Sequence, residues 1–169
     1  MALPVFVDGN VLTAAQVNSW LEPVAAVKTS DESVTSSTAL QNDNELVVAV
    51  AANATYHLTA YLDYEGGTLG ASDLKFGWTF PAGLTMSYVA SRISNITGNP
   101  AGGGGVVIQT GVPISGSSGA GNSQSVSMDG TVVVSSTAGS LQLQWAQNTS
   151  SGTATIVHAK SWISLQRFA

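Results

Sequence analysis

The residues able to do acid–base or nucleophilic chemistry in this sequence are few and scattered. His57 and His158 are the only histidines; His57 falls on the polar side of an alternating stretch, and His158 ends another. A histidine becomes an acid or base candidate when a partner positions it, and no nucleophile stands at a diagnostic spacing from either. Serine is abundant, but there is no G-x-S-x-G elbow. The absence of cysteine removes thiolate chemistry and disulfides and leaves the redox compartment open. Oxygen ligands gather twice, in Asn42-Asp43-Asn44-Glu45 and in Asp63-Tyr64-Glu65. Neither follows EF-hand spacing, calcium takes about six or more ligands, and nothing singles out a carboxylate pair that would flank a sugar. The Asn-Asp-Asn run reads instead as a turn whose side chains bond their own backbone. The glycine run at 102–105 lacks the Lys, Ser/Thr and helix of a phosphate loop. The Asn-x-Ser/Thr triplets at Asn53, Asn95 and Asn148 matter only in a eukaryotic secretory pathway. The expectation is a non-enzymatic protein with no catalytic, cofactor-binding or metal residues.

Composition points the same way. With 169 residues the chain can bury roughly 70% of its unfolded surface in one core. Hydrophobic residues make up 44% and charged residues only 9%, against about 25% charged in ordinary soluble domains, and mean hydropathy is +0.22. A surface so poor in charge predicts that much of it is covered by copies of the same chain or by a larger assembly. Net charge is −5, and the five basic residues, Lys28, Lys75, Arg92, Lys160 and Arg167, are dispersed as solvated side chains. Phosphate-driven affinity needs basic clusters, so nucleic acid is excluded as a partner. Residues 1–6 lack a basic secretory n-region, and no apolar run reaches the ~20 residues of a membrane span, so no membrane insertion is expected.

The elements that would position any site fall into two kinds. The stretch 11–23 predicts one short helix, with Thr13 as cap, Gln16 as its capping partner, Ala14, Val17 and Leu21 on one face, and Pro23 as its end. Such a short helix must dock its Val17, Trp20 and Leu21 surface on something. An extended linker, 22–31, follows. From Ser33 onward the hydrophobic period is two. Residues 54–64 place Tyr56, Leu58, Ala60, Leu62 and Tyr64 on one side, and residues 73–80 place Leu74, Phe76, Trp78 and Phe80 on one side. Runs at 45–50, 84–90, 106–110, 125–135, 140–147, 153–158 and 161–168 bring the total to about nine strands. The predicted fold class is all-β: an antiparallel, jelly-roll-like β-sandwich over 32–169, preceded by an N-terminal anchoring segment, 1–31, with one short helix. The loops at 95–105 and 111–124 are rich in glycine and serine and predict exposed contact tips, with Asn99, Gly103, Ser117, Gly119 and Asn122 as candidates.

The opening Val7-Asp8-Gly9-Asn10-Val11-Leu12-Thr13-Ala14-Ala15-Gln16-Val17-Asn18 resembles the start shared by small tail-associated and fibre proteins of actinobacteria-infecting bacteriophages. Residues 31–38, 40–46, 51–56, 74–78 and 145–148 are similar to phrases of the same proteins. The strand containing Ala54-Thr55-Tyr56, the Leu141-Gln142-Leu143-Gln144-Trp145 strand and the final Ser161-to-Phe168 strand look like the layout of C1q/TNF-like trimeric jelly rolls. The resemblance implies a virion structural protein made in the host cytoplasm and displayed on the tail or capsid surface. Within it, a homotrimeric fibre or minor tail protein with a host-attachment role is the leading reading, a capsid decoration protein or head fibre the alternative, and a glycan depolymerase the third. Its partners would be copies of itself, other tail or capsid proteins and a host surface glycan. Thr13, Val17, Trp20 and Leu21 would anchor it to the virion. Tyr56, Tyr61, Tyr64, Trp162 and Phe168 would build the core and the three-fold contacts.

Overall fold

A computed structural model describes residues 9, 11, 13, 22–67, 73–91, 93–96, 106–108 and 111–168. The described residues form thirteen strands: β1 Val24–Val27, β2 Glu32–Val34, β3 Gln41–Val50, β4 Thr55–Glu65, β5 Leu74–Thr79, β6 Thr85–Ala90, β7 Ile93–Ile96, β8 Val106–Ile108, β9 Pro113–Ser115, β10 Gln124–Val133, β11 Gly139–Gln147, β12 Thr155–Val157 and β13 Trp162–Arg167. The larger sheet runs β1-β13-β4-β10-β6-β8, with β12 joining β4 and β2; the smaller runs β3-β11-β5-β9-β7. All of the pairings are antiparallel.

One hydrophobic core lies between the sheets. Period-two alternation turns Leu58, Leu62 and Tyr64 of β4, Val126 and Val132 of β10, and Ile163 and Leu165 of β13 inward. They meet Leu46 and Val48 of β3, Leu141, Leu143 and Trp145 of β11, and Leu74 and Phe76 of β5. Gly130 in β10 lets β6 approach closely, because a Cβ there would sit 2.4 Å from the Ser87 carbonyl oxygen of β6.

Several expectations are corrected. The fold is all-β with no helix among the described residues, so the predicted fold class loses its N-terminal helix. Thr13 and Val11 have no regular structure, and the remaining positions of that expected helix lie outside the described residues, apart from Glu22 and Pro23, which are not helical. The stretch 22–31 contains β1, whose four residues pair with β13. Thirteen strands stand where about nine are expected. All nine expected runs coincide with strands, and β1, β2, β7 and β9 are the strands outside them. Phe80 lies beyond the end of β5 and is 46% exposed, not on the core face with Phe76.

Candidate functional site

The outer face of the larger sheet is assembled from the residues that alternate away from the core. Across β1, β13, β4 and β10, Val27, Trp162, Tyr61 and Ser127 form one row. Ala25, Ser164, Thr59, Asp129 and Val89 form the next, extending to β6, and Gln166, His57, Thr131 and Ser87 a third. Strand pairing thus brings residues more than 100 positions apart in sequence side by side. The two central aromatics border a shallow groove of about 540 Å³ lined by Thr59, Tyr61, Val89, Ser127, Asp129 and Trp162. A second groove of about 500 Å³ lies at the end of β6 and β10, where outward Thr85, Ser87, Thr131 and Val133 meet Phe80 and the core residues Leu84 and Met86. Val27 is 56% exposed and Val133 45% exposed on this face.

The three rows contain no lysine or arginine. Within them His57 Nε2 and Asp129 Oδ2 share a hydrogen bond at 2.8 Å. The ring of Phe168 stacks on His57, with centroids 5.8 Å apart. The outer face of the smaller sheet differs. There β3 and β11 present Asn42, Gln142 and Gln144, and Gln144 Nε2 donates to Asn42 Oδ1 at 2.8 Å. Lys75 of β5 projects beside them, and Val47 is the exposed large hydrophobic side chain of the pair.

The expected site residues separate into three groups. Tyr56 and Tyr64 belong to the core: the Tyr56 hydroxyl accepts the Ala51 N–H at 3.0 Å, and the Tyr64 hydroxyl bonds Ser115 Oγ at 2.8 Å and the Gly116 carbonyl. Tyr61, Trp162 and Phe168 are on or beside the outer face, half-buried or exposed. The structure brings Tyr61 and Trp162 together as direct cross-strand neighbours. Of the loop candidates, Gly119 is partly exposed and Asn122 exposed, whereas Ser117 is buried and not an exposed tip. Its N–H donates to Asp73 Oδ1 at 2.9 Å, and its Oγ accepts the Gly119 N–H. Asn99, Gly103, Val17, Trp20 and Leu21 lie outside the described residues, and Thr13 is exposed.

A second constellation escaped the sequence reading. Lys28, expected to be solvated, is 2% exposed, and Asp43 is fully buried. Lys28 Nζ donates to Asp43 Oδ1 and Oδ2 at 3.0 and 2.9 Å and to Glu32 Oε2 at 3.0 Å, with Glu45 at 3.8 Å. Asp43 Oδ1 also accepts the Glu45 and Leu46 N–H groups at 2.9 and 2.8 Å, and Oδ2 accepts Trp145 Nε1 at 3.1 Å. A bulge turns Asp43 inward: the β3–β11 register shifts between Gln142 and Gln144, breaking the alternation of β3. The local bonding is the backbone capping expected of Asn-Asp-Asn, but on a buried strand. Burial works against the Lys28 charge, yet its bonds to Asp43 and Glu32 outweigh that and hold its pKa above the ordinary lysine value. The exposed Glu45 is held down to about 2, first by the Thr29 hydroxyl and N–H. Asp31 is held below its usual range by the Ala159 N–H and by His158. Among the described residues no group of three His, Cys, Asp or Glu side chains could hold a metal ion, and no helix is long and apolar enough to cross a membrane.

No family model and no curated protein matches the chain. Among solved structures, it is similar to the tripod from the baseplate of bacteriophage Tuc2009, at 14% identity and a TM-score of 0.39 over 99% of this chain and 75% of that one. It is also similar to the VP2 subviral particle of infectious bursal disease virus, at 12% identity and a TM-score of 0.23 over 89% of this chain and 43% of that one. A chain of the Gx strain of that virus gives 14% identity and a TM-score of 0.23 over 87% of this chain and 41% of that one. This chain therefore spans less than half the length of those two. At these TM-scores the likenesses establish neither the fold nor the role of this protein.

Proposed function

We propose that this chain is a structural protein of the bacteriophage particle, a fibre or minor tail protein, whose β-sandwich closes a homotrimer through the outer face of the larger sheet. The virion setting is supported by the resemblance of residues 7–18 and of the short segments through 148. The association is supported by one observation above all: that face carries Val27, Trp162, Tyr61, Val89 and Val133, and its three rows hold no lysine or arginine. An apolar face of this kind left in water is a liability, and covering it with a copy of itself removes the liability. Three-fold closure is supported by the placing of β4 and β13 side by side in the middle of the sheet, as in the C1q/TNF-like layout. Residues before β1 would then carry attachment to the particle, and the Gly119 and Asn122 loop would face outward toward a host glycan.

The setting is tested by antibody-gold labelling of purified particles. Label at the tail tip is the expected result. Label over the head would move the protein to capsid decoration, and unlabelled particles would overturn the virion reading altogether.

A further inference from the structure

The Lys28 constellation has more in it than an ion pair needs. A buried primary amine touches both oxygens of a buried carboxyl, a second carboxylate touches the amine, and two backbone N–H groups converge on one carboxyl oxygen. Trp145 donates to the other oxygen and is itself buried, which helps keep water from the site. The geometry points to an autocatalytic amide cross-link between Lys28 Nζ and Asp43 Cγ, a single-turnover reaction of the folded chain with itself.

Each part of the reaction has a group in place. Proton transfer within the pair, relayed by Glu32, gives the neutral amine and the carboxylic acid from which the amide forms. Nζ then attacks Cγ. Negative charge developing on Oδ1 is met by the Glu45 and Leu46 N–H groups at 2.9 and 2.8 Å, an oxyanion-hole arrangement. The Cγ–Oδ2 bond breaks and Oδ2 departs as water. The lysine ammonium begins with three protons and the amide keeps one, so the two lost protons leave on Oδ2, with Glu32 returned to its starting form. No oxidant, metal or outside reactant is required. Oδ1, remaining as the amide carbonyl, keeps its two N–H donors, while the new amide N–H still has Glu32 as acceptor. The fold favours the step by holding the reactants together, converting a bimolecular condensation into an intramolecular one. The product would tie the chain just after β1, the first strand of the larger sheet, to β3, the edge of the smaller one.

The test is the mass of the purified full-length protein followed by digestion after denaturation. The cross-linked chain is one water lighter than the Asp43→Ala variant after allowing for the substitution. Because no other lysine or arginine lies between Lys28 and Lys75, trypsin then yields 1–75 as one piece, short by that water, instead of separate 1–28 and 29–75 peptides. Lys28→Arg, which keeps a cation but cannot form this amide, should show the full mass while remaining folded. Glu32→Gln should slow the loss of water by about 100-fold or more. Native protein of full sequence mass that releases 1–28 overturns the cross-link, and a Glu32→Gln variant reacting at the native rate overturns the relay. None of these readouts depends on the oligomeric state or on a virion location.

Discussion

The two sheets turn different surfaces outward, although both bury apolar inner faces. The smaller sheet shows amides and Lys75, with Gln144 and Asn42 bonded to each other across the strands. The larger shows Trp162, Tyr61, Val89 and Val133 around two grooves. Folding alone does not demand this difference, since either outer face could be solvated by Ser, Thr and Gln. The difference teaches that the low charge of the chain has an address. On the proposed association, the smaller sheet's outer face stays in water and the larger sheet's outer face is covered.

Four perturbations break or sharpen the contrast. The largest effect belongs to the inner side of β4. Leu58→Ala opens a cavity in a fully buried position and should cost about 2–5 kcal/mol, read by urea denaturation. The fraction that stays folded should still associate, because Leu58 faces away from the outer surface.

Next comes the outer side of the same strand and its neighbour. Tyr61→Lys with Trp162→Lys should weaken self-association by well over tenfold, which corresponds to more than about 1.4 kcal/mol of association free energy. Urea stability of the separated domain should hardly move, a combination seen by comparing sedimentation with denaturation. The matched change on the smaller sheet, Gln142→Lys with Gln144→Lys, should leave the sedimenting mass unchanged.

Tyr64→Phe should be milder, about 1–2 kcal/mol in a thermal melt. It removes the hydroxyl that bonds Ser115 Oγ and the Gly116 carbonyl inside the fold. Its effect should fall on stability and not on association, which separates an inward tyrosine from the outward Tyr61.

The smallest effect is the acid response of the exposed carboxylates around the β1–β2 connection. Glu45 and Asp31 have folded-state pKa values below their ordinary 4.5 and 3.8. Their ionised forms therefore stabilise the native state above those values, and that contribution is lost as pH falls toward about 2. The melting temperature should drop over this window, and Glu45→Gln should make the drop shallower. A Glu45→Gln protein with an unchanged pH profile would remove Glu45 from the account.

Much of this architecture is legible in the residues. Alternation in 54–64 and 73–80 locates β4 and β5, and it correctly puts Tyr61 and His57 on one side of β4 with Tyr56 and Tyr64 on the other. Alternation gives no signal at β1, which reads as a linker, or at β9, which begins at Pro113 and reads as loop. It fails again at Ser117, where a polar residue in a glycine-rich run is buried through its bonds with Asp73 and Gly119. The Lys28 constellation is hidden for a different reason. Its members come from β1–β2, β3 and β11, and only the bulge in β3 turns Asp43 to the inside. The one available signal is the conflict between a hydrophilic Asn-Asp-Asn-Glu run and the strongly apolar strand it opens.

The same boundary question has a direct consequence for truncation. Removing residues 1–21 should leave a folded, self-associating domain, whereas removing 1–30 also deletes β1 and Lys28 and should lower its stability by about 3–5 kcal/mol, the scale of leaving a buried charge unpaired.

The central claim is that the outer face of the larger sheet is where copies of this chain meet. Sedimentation equilibrium of the full-length native protein beside the Tyr61→Lys, Trp162→Lys variant tests it most directly. The account predicts three times the 17.2 kDa chain mass for the native protein and a single chain mass for the variant. A native protein that sediments as a monomer, or a variant that keeps the three-chain mass, would contradict it.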